Sequence, residues 1–351
     1  MPSGRSIVPM KAVVCGCGAM AKGWLRALAE TPALKGAVEI VGLVDLDLSA
    51  AEVLAKEFSL GNAITGSDLN VVLEATRPEI VFDIVVPSAR HHVVSAALGF
   101  GCHVLSEKPM AASLEEAEDL IALARRAGRI HAIVQNRRFI SGVRRMRRVV
   151  ETGALGELTG IHCDFFIGPH FGGFREQMDN VLLLDMAIHT FDAARFVSGK
   201  TPLAVYCHES NPPASWYRHG AAANAIFEFS DNVVFTYRGS WCAEGARTSW
   251  ESAWRVIGTK GTLLWDGADK LDAHVVSGET GFLREVSEIE VPEPSREADT
   301  HGHASVIQAF LNAIRTGVAP ETDGSDNIKS LAMVFGAIQS ARRRERVTIS
   351  A

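Results

Sequence analysis

The sequence predicts an α/β protein in two parts: an N-terminal Rossmann-type, doubly wound parallel sheet, then a C-terminal α+β part with a mostly antiparallel open sheet. Three observations carry this expectation. A chain of 351 residues is long enough for two domains of roughly 150 residues each. From Lys11 to about Arg138, short β-branched runs alternate with stretches rich in Ala and Leu, the pattern of βαβ units. After Val150 strand-like runs follow one another with few helices between them, which favours antiparallel pairing. The division is placed at residues 10–138 and 139–351.

In the first part the strands read as AVVC (12–15), EIVGLV (39–44), EIVFDIVV (79–86), HVLS (103–106) and RIHAIV (129–134). Helices are expected over Leu48–Phe58 and Ser113–Ala127, the latter opened by Ser113 and Glu116 at the spacing of a capping box. In the second part strands are expected over Leu158–Ile167, Leu203–His208, Ala221–Phe229, Val233–Trp241, Glu251–Ile257 and Thr262–Trp265. One long helix near Leu182–Val197 interrupts the series, and another, from about Ala304 to Arg315, precedes the C-terminal stretch. There is no internal repeat and no low-complexity segment.

Composition excludes several classes. With 47% apolar and 22% charged residues and no apolar run near the roughly 18 residues a membrane helix needs, a soluble globular protein is expected, with no membrane partner. A net charge of -6 gives no long-range attraction for nucleic acid. Cys15, Cys17, Cys102, Cys163, Cys207 and Cys242 are scattered without a C-x-x-C pair, so reduced thiols in a cytoplasm are expected. The opening MPSGRSIVPM lacks the apolar core of a signal peptide and reads as a short disordered leader.

The first chemical motif is Gly16-Cys17-Gly18-Ala19-Met20-Ala21, a G-x-G-x-x-A between a strand and an Ala/Leu helix. Gly16 permits a tight turn, Gly18 lets backbone approach a pyrophosphate, and Ala21 keeps helix and strand close. Asp45, at the end of the second strand, stands where a carboxylate could accept from the adenosine ribose; nothing basic follows to receive a 2'-phosphate, so NAD is favoured over NADP. The alternative is that Asp45 or Asp47 caps the next helix. Ser106-Glu107-Lys108-Pro109 follows the HVLS strand, and ligands of open parallel sheets bind beyond such carboxyl ends, so Lys108 is either placed for a substrate or a solvated surface Lys.

Asp185, His189 and Asp192 share one helix face, within an arc of about 60° at helical spacing. They could form an acid/base site with His189 titrating near neutrality, a metal site, or a structural network in which Asp192 meets Arg195.

Together, the glycine turn, Glu107-Lys108-Pro109 after a strand, and Asp185-x-x-x-His189 in a strand-rich second part resemble the glucose-fructose oxidoreductase and inositol dehydrogenase family, Gfo/Idh/MocA. The resemblance covers nearly the whole chain: Ala96–Pro109, Arg137-Arg138-Phe139, Gly258–Gly261 and Ser340–Ile349 also follow its wording. It implies NAD(P)-dependent oxidation or reduction of a sugar, polyol or related hydroxy or keto compound, with Lys108, Asp185 and His189 catalytic. On this reading residues 10–138 bind NAD, with NADP less favoured, through Gly16, Gly18, Ala19, Met20, Asp45, Pro87 and Glu107; residues 139–351 bind substrate and oligomerise. One departure is Asp179-Asn180-Val181, where the family often has three glycines. Two other activities of similar proteins stay open: an NAD-dependent glycoside hydrolase of the same fold, and a cofactor-binding regulator without turnover. The joint presence of Lys108, Asp185 and His189 counts against the regulator.

Arg137, Arg138, Arg144, Arg145, Arg147 and Arg148 read as a solvated helix face, with Arg138 a candidate for steering an anionic substrate. Asp192 and His170 are further substrate-binding candidates, and Arg175 could line the same pocket. His91 and His92 either contact cofactor or fill a helix start. His301 and His303 read as loop or helix-start residues, and no metal site is expected. The exposed face of the second sheet needs covering, so a homodimer or homotetramer is expected.

Overall fold

The computed structural model describes residues 8–350; of the expected leader, residues 1–7 lie outside them. The chain forms two compact units, one running up to Gln135 and including His303–Ile328, the other Asn136–Gly302 with Lys329 onward. The sequence division assigned everything after Arg138 to the second part. In the structure, residues 303–328 group with the first unit. Among the described residues no helix is long and apolar enough to cross a membrane.

In the first unit, β1 (Met10–Cys15), β2 (Val38–Val44), β3 (Ile64–Gly66), β4 (Ile80–Asp83), β5 (His103–Ser106) and β6 (His131–Ile133) form a parallel sheet in the order β3-β2-β1-β4-β5-β6. The connecting helices are α1 (Ala19–Glu30), α2 (Leu48–Glu57), α3 (Leu69–Thr76), α4 (Pro87–Gly99) and α5 (Leu114–Ala127). β1 and β4 are almost continuously buried, as parallel strands covered on both faces must be. Ser113 accepts from the Glu116 amide at 3.1 Å, while the Glu116 carboxylate reaches Ala112 N at 3.0 Å, a capping box displaced by one residue. Strand order reverses between β1 and β4, the point at which such sheets bind ligands. Cys15 lies opposite Asp83, and Asp83 opposite Ser106. Three strands therefore end in line, and Gly16, Ile84 and Glu107 leave from one edge.

In the second unit, α6 (Ser141–Glu151) precedes β7 (Leu158–Phe166), and a π-helical turn over Leu182–Ala187 leads into α7 (Ile188–Ser198). The remaining strands are β8 (Pro202–Ser210), β9 (Ala222–Phe229), β10 (Val234–Ser240), β11 (Ala253–Gly258), β12 (Gly261–Trp265), β13 (Leu271–Val276), β14 (Val286–Ile289) and β15 (Val347–Thr348). The last two helices are α8 (His303–Thr316), which belongs to the first unit, and α9 (Gly324–Arg343). The sheet order is β14-β13-β12-β11-β7-β10-β9-β8-β15, with β7 and β10 parallel and the other pairings antiparallel. Burial alternates along β9, so one face is covered and the other is not. α7 supplies the cover: Phe191 packs edge-on to Phe227 at 4.7 Å and to Tyr237 at 5.2 Å.

Candidate functional site

The glycine turn is shaped for a group larger than itself. Gly16 has φ +94°, and a Cβ there would stand 2.7 Å from the Ile84 carbonyl, so no other residue fits. Gly18 caps α1 without a side chain, and a Cβ there would meet nothing within 4 Å. No side chain caps the first turn of α1, which suits an anionic pyrophosphate. Fully buried Ala21 lets α1 lie close to the sheet. Ala19 and Met20 stand exposed in the first turn. Pro87 opens α4 behind an N-cap, Val86, that likewise offers no side-chain bond. Asp45 accepts from Cys17 N at 2.8 Å and from Asp47 N at 3.0 Å, tying the turn to the end of β2. Asp47, the other residue considered as a cap, is the N-cap of α2. Together these residues fit a dinucleotide.

Lys108 leaves the same sheet edge from β5, and a buried frame holds its backbone. Glu107, expected to touch cofactor, is 7% exposed; its carboxylate accepts from Trp24 Nε1 at 2.9 Å and from Lys108 N at 3.2 Å, with His303 Nε2 3.6 Å away. Burial opposes its charge, yet hydrogen bonds from His303 and Trp24 and the charge of Lys108 hold its carboxyl below the usual range. The Glu107 carboxylate thus faces protein donors and fixes the loop. Arg90, 1% exposed, pairs with Asp83 at 2.8 Å and donates to the carbonyls of Val85 and Pro109. His91 pairs with Asp119 at 2.8 Å rather than standing open.

In the second unit, Asp185 lies within the π turn and His189 in the first turn of α7. π turns widen a helix locally and recur at functional sites. His189 is 9% exposed and lines a small depression with Arg137, Met186, Trp250 and Glu251; Arg137 and Glu251 form an ion pair. Asp185 accepts from Arg175 Nε at 2.7 Å. The Asp179-Asn180-Val181 departure has a conformational explanation: Asn180 has φ +52°, a left-handed value that Gly adopts freely and Asn tolerates. Its amide donates to Glu209 and its oxygen accepts from Arg342 at 3.3 Å.

Arg138 and Asp192, both expected to bind substrate, bind each other instead. Arg138 grips Asp192 through two hydrogen bonds of 2.6 and 2.7 Å. Ser330 Oγ donates to the same carboxylate at 2.6 Å, and Arg195 stands 3.7 Å away. At 5% and 0% exposure, neither is open to a ligand, which corrects the expectation and answers the structural alternative. The arginine run is not simply a solvated face either. Arg144 and Arg147 lie over the Phe196 ring at 4.8 and 4.4 Å. His170 is exposed, stacked on Trp216 at 3.7 Å and bonded to Glu244 at 3.1 Å.

Trp24, Arg90 and His303 were not legible as site residues. Trp24 and Glu107 are 83 positions apart, and no spacing in the sequence links them. His303 reads as a loop or helix-start residue because its partner, Glu107, lies in another segment.

The two units carry the domains of an NAD-binding oxidoreductase. Residues 10–135 match the oxidoreductase family with an NAD-binding Rossmann fold, and residues 143–264 match the GFO/IDH/MocA C-terminal domain; the chain belongs to the Gfo/Idh/MocA family. It is 26% identical to D-glucoside 3-dehydrogenase of Escherichia coli (strain K12) over 99% of this chain and 100% of that one. It is 25% identical to D-apiose dehydrogenase of Paraburkholderia graminis over 97% and 89% of the two chains. Among solved structures, an oxidoreductase from Agrobacterium radiobacter in complex with NAD+, L-tartaric acid and magnesium has a TM-score of 0.83 at 20% identity, covering 97% of this chain and 98% of that one.

Proposed function

We propose that the protein transfers a hydride between NAD and a CH–OH group of a sugar, polyol or related compound. The observation that carries this reading is the alignment of strand ends in the first unit. β1 and β5 are two strand spacings apart, roughly 10 Å, so Lys108 leaves the sheet about a nicotinamide's reach from the glycine turn. When bound, NAD supplies the hydride acceptor. The Lys108 ammonium donates a hydrogen bond to the reacting oxygen, and the His189 imidazole takes the hydroxyl proton. Asp185 orients the site together with Arg175.

A screen of polyols, aldonates and free sugars with added NAD, read at the absorbance of reduced nicotinamide, tests this reading. One compound yielding stoichiometric NADH supports it, and none doing so with NAD or NADP overturns it. A glycosidase that recycles its cofactor would consume glycoside without net NADH.

NAD is preferred because the Asp45 carboxylate, anchored on Cys17 N, repels a 2'-phosphate. Asp45→Ala is expected to weaken NAD by about tenfold or more and NADP by less. Asp45→Asn, which keeps an acceptor for Cys17 N, separates charge from turn geometry. Dissociation constants measured for both cofactors check this, and tighter binding of NADP by the unaltered protein would overturn it.

A homodimer or homotetramer follows from the uncovered sheet face. Tyr206 and Ile226 sit opposite each other on β8 and β9, 46% and 51% exposed, with Leu203 at 47% nearby on β8. Light scattering should show an oligomer that Ile226→Lys weakens; a monomer at micromolar concentration overturns the proposal.

A further inference from the structure

The loop between β7 and the π turn carries an aromatic surface that the proposed chemistry does not use. Phe171 and Phe174 are 46% and 64% exposed. Their rings flank the Arg175 guanidinium at 5.0 and 4.9 Å, and Arg175 is the residue that donates to Asp185. Phe171 also packs against Trp241 at 5.3 Å and Trp250 at 6.3 Å. Trp250 is 44% exposed and lines the depression that holds His189. Single exposed aromatics are ordinary on protein surfaces. Here Phe171 touches Trp250 beside His189, and Phe171 and Phe174 both lie against the Arg175 that holds Asp185.

The chemistry of this surface narrows what can lie on it. Arg175 is compensated by Asp185, and Arg138 is buried against Asp192, so neither offers a free charge to an acidic ligand. The indole N–H of Trp241 is buried without an acceptor among the described residues, one more neutral donor beside Phe171. A pyranose ring presents C–H groups on its faces and hydroxyls at its rim, and flat aromatic rings with peripheral polar groups suit that pattern. A single sugar ring held at Asp185 and His189 would leave Phe174 in water. A second ring joined through a glycosidic oxygen would cover it.

We propose that Phe171, Phe174 and Trp250 form a subsite for the second ring of a neutral glycoside, so that the protein acts on glycosides in preference to free monosaccharides. This rests on the hydride-transfer reading for its catalytic arm but not for its binding arm. The test compares glucose with phenyl β-glucoside in the presence of NAD. The glycoside is expected to have a kcat/KM at least about tenfold higher, the effect of about 1.4 kcal/mol, mainly through KM. Phe174→Ala should raise KM for the glycoside about tenfold more than for glucose, and Phe174→Tyr should restore the ratio. Equal kcat/KM for the two compounds, with a ratio indifferent to Phe174→Ala and Phe171→Ala, overturns the subsite. Should neither compound be oxidised, calorimetric titration of phenyl β-glucoside into the NAD-loaded protein decides. Saturable binding lost in Phe174→Ala upholds the subsite while the hydride-transfer reading fails, and no binding, or binding unchanged in the variant, overturns it.

Discussion

Lys108→Ala is expected to lower kcat by at least about two orders of magnitude while leaving cofactor affinity nearly unchanged. A charged donor aimed at the reacting oxygen acts most strongly where negative charge develops on that oxygen, so its loss falls on kcat more than on substrate binding. The loop should survive the truncation. Its backbone is held by the Glu107 carboxylate on Lys108 N and by Arg90 on the Pro109 carbonyl, and neither contact uses the lysine side chain. Lys108→Arg keeps the charge, but a planar fork replaces a compact ammonium, so a large part of the loss should persist. Steady-state kinetics with a fluorescence titration of NAD check both variants. A Lys108→Ala protein turning over at the original rate would return Lys108 to the surface.

The legible part of this fold is the part where burial writes a pattern into the chain. β1, β4 and β5 read directly because strands covered on both faces carry short apolar runs, here AVVC, IVF and VL. α5 read from its cap, and its observed start at Leu114 follows Ser113 as expected. β3 has three residues, too few for any periodicity. β14 is exposed along nearly its whole length, so no buried apolar run marks it. β15 has two residues and exists only because β8 offers it an edge. The return of residues 303–328 to the first unit is a tertiary event with no local signature.

The site divides along the same line. The glycine turn was legible because backbone conformation at Gly16 dictates residue type, and Asp45 because it follows an apolar strand. Asp185 and His189 were legible as polar groups on an apolar helix, although the π turn alters the angular spacing assumed for a regular one. Arg138 and Asp192 misled for a physical reason: a buried ion pair and a ligand-binding pair look alike in a sequence, and burial alone separates them. Arg175 could be named as a pocket residue but not placed, since its pairing with Asp185 depends on the loop's path.

His189→Ala is expected to cost about 10² to 10⁴ in the rate of alcohol oxidation, the usual range for a positioned acid or base. Removing a hydride from a carbinol carbon leaves a positive charge unless the hydroxyl proton also departs, so a base must reach that oxygen. Two candidates stand next to each other in the second unit, and their surroundings choose between them. Asp185 accepts from the Arg175 guanidinium at 2.7 Å, which ties up one carboxylate oxygen. His189 lies in a depression beside Trp250 and the Arg137–Glu251 pair, and imidazole is the side chain whose ordinary titration falls near neutrality. For oxidation the base must be unprotonated, so kcat/KM should rise with pH through one ionisation. His189→Ala should flatten that limb, whereas Asp185→Asn should lower the rate and leave the limb in place. A pH–rate series on the three proteins, with saturating NAD, distinguishes them. If His189→Ala kept the limb at a comparable rate, the proton would have another acceptor, and exposed His170, in the same unit, is the next group to replace.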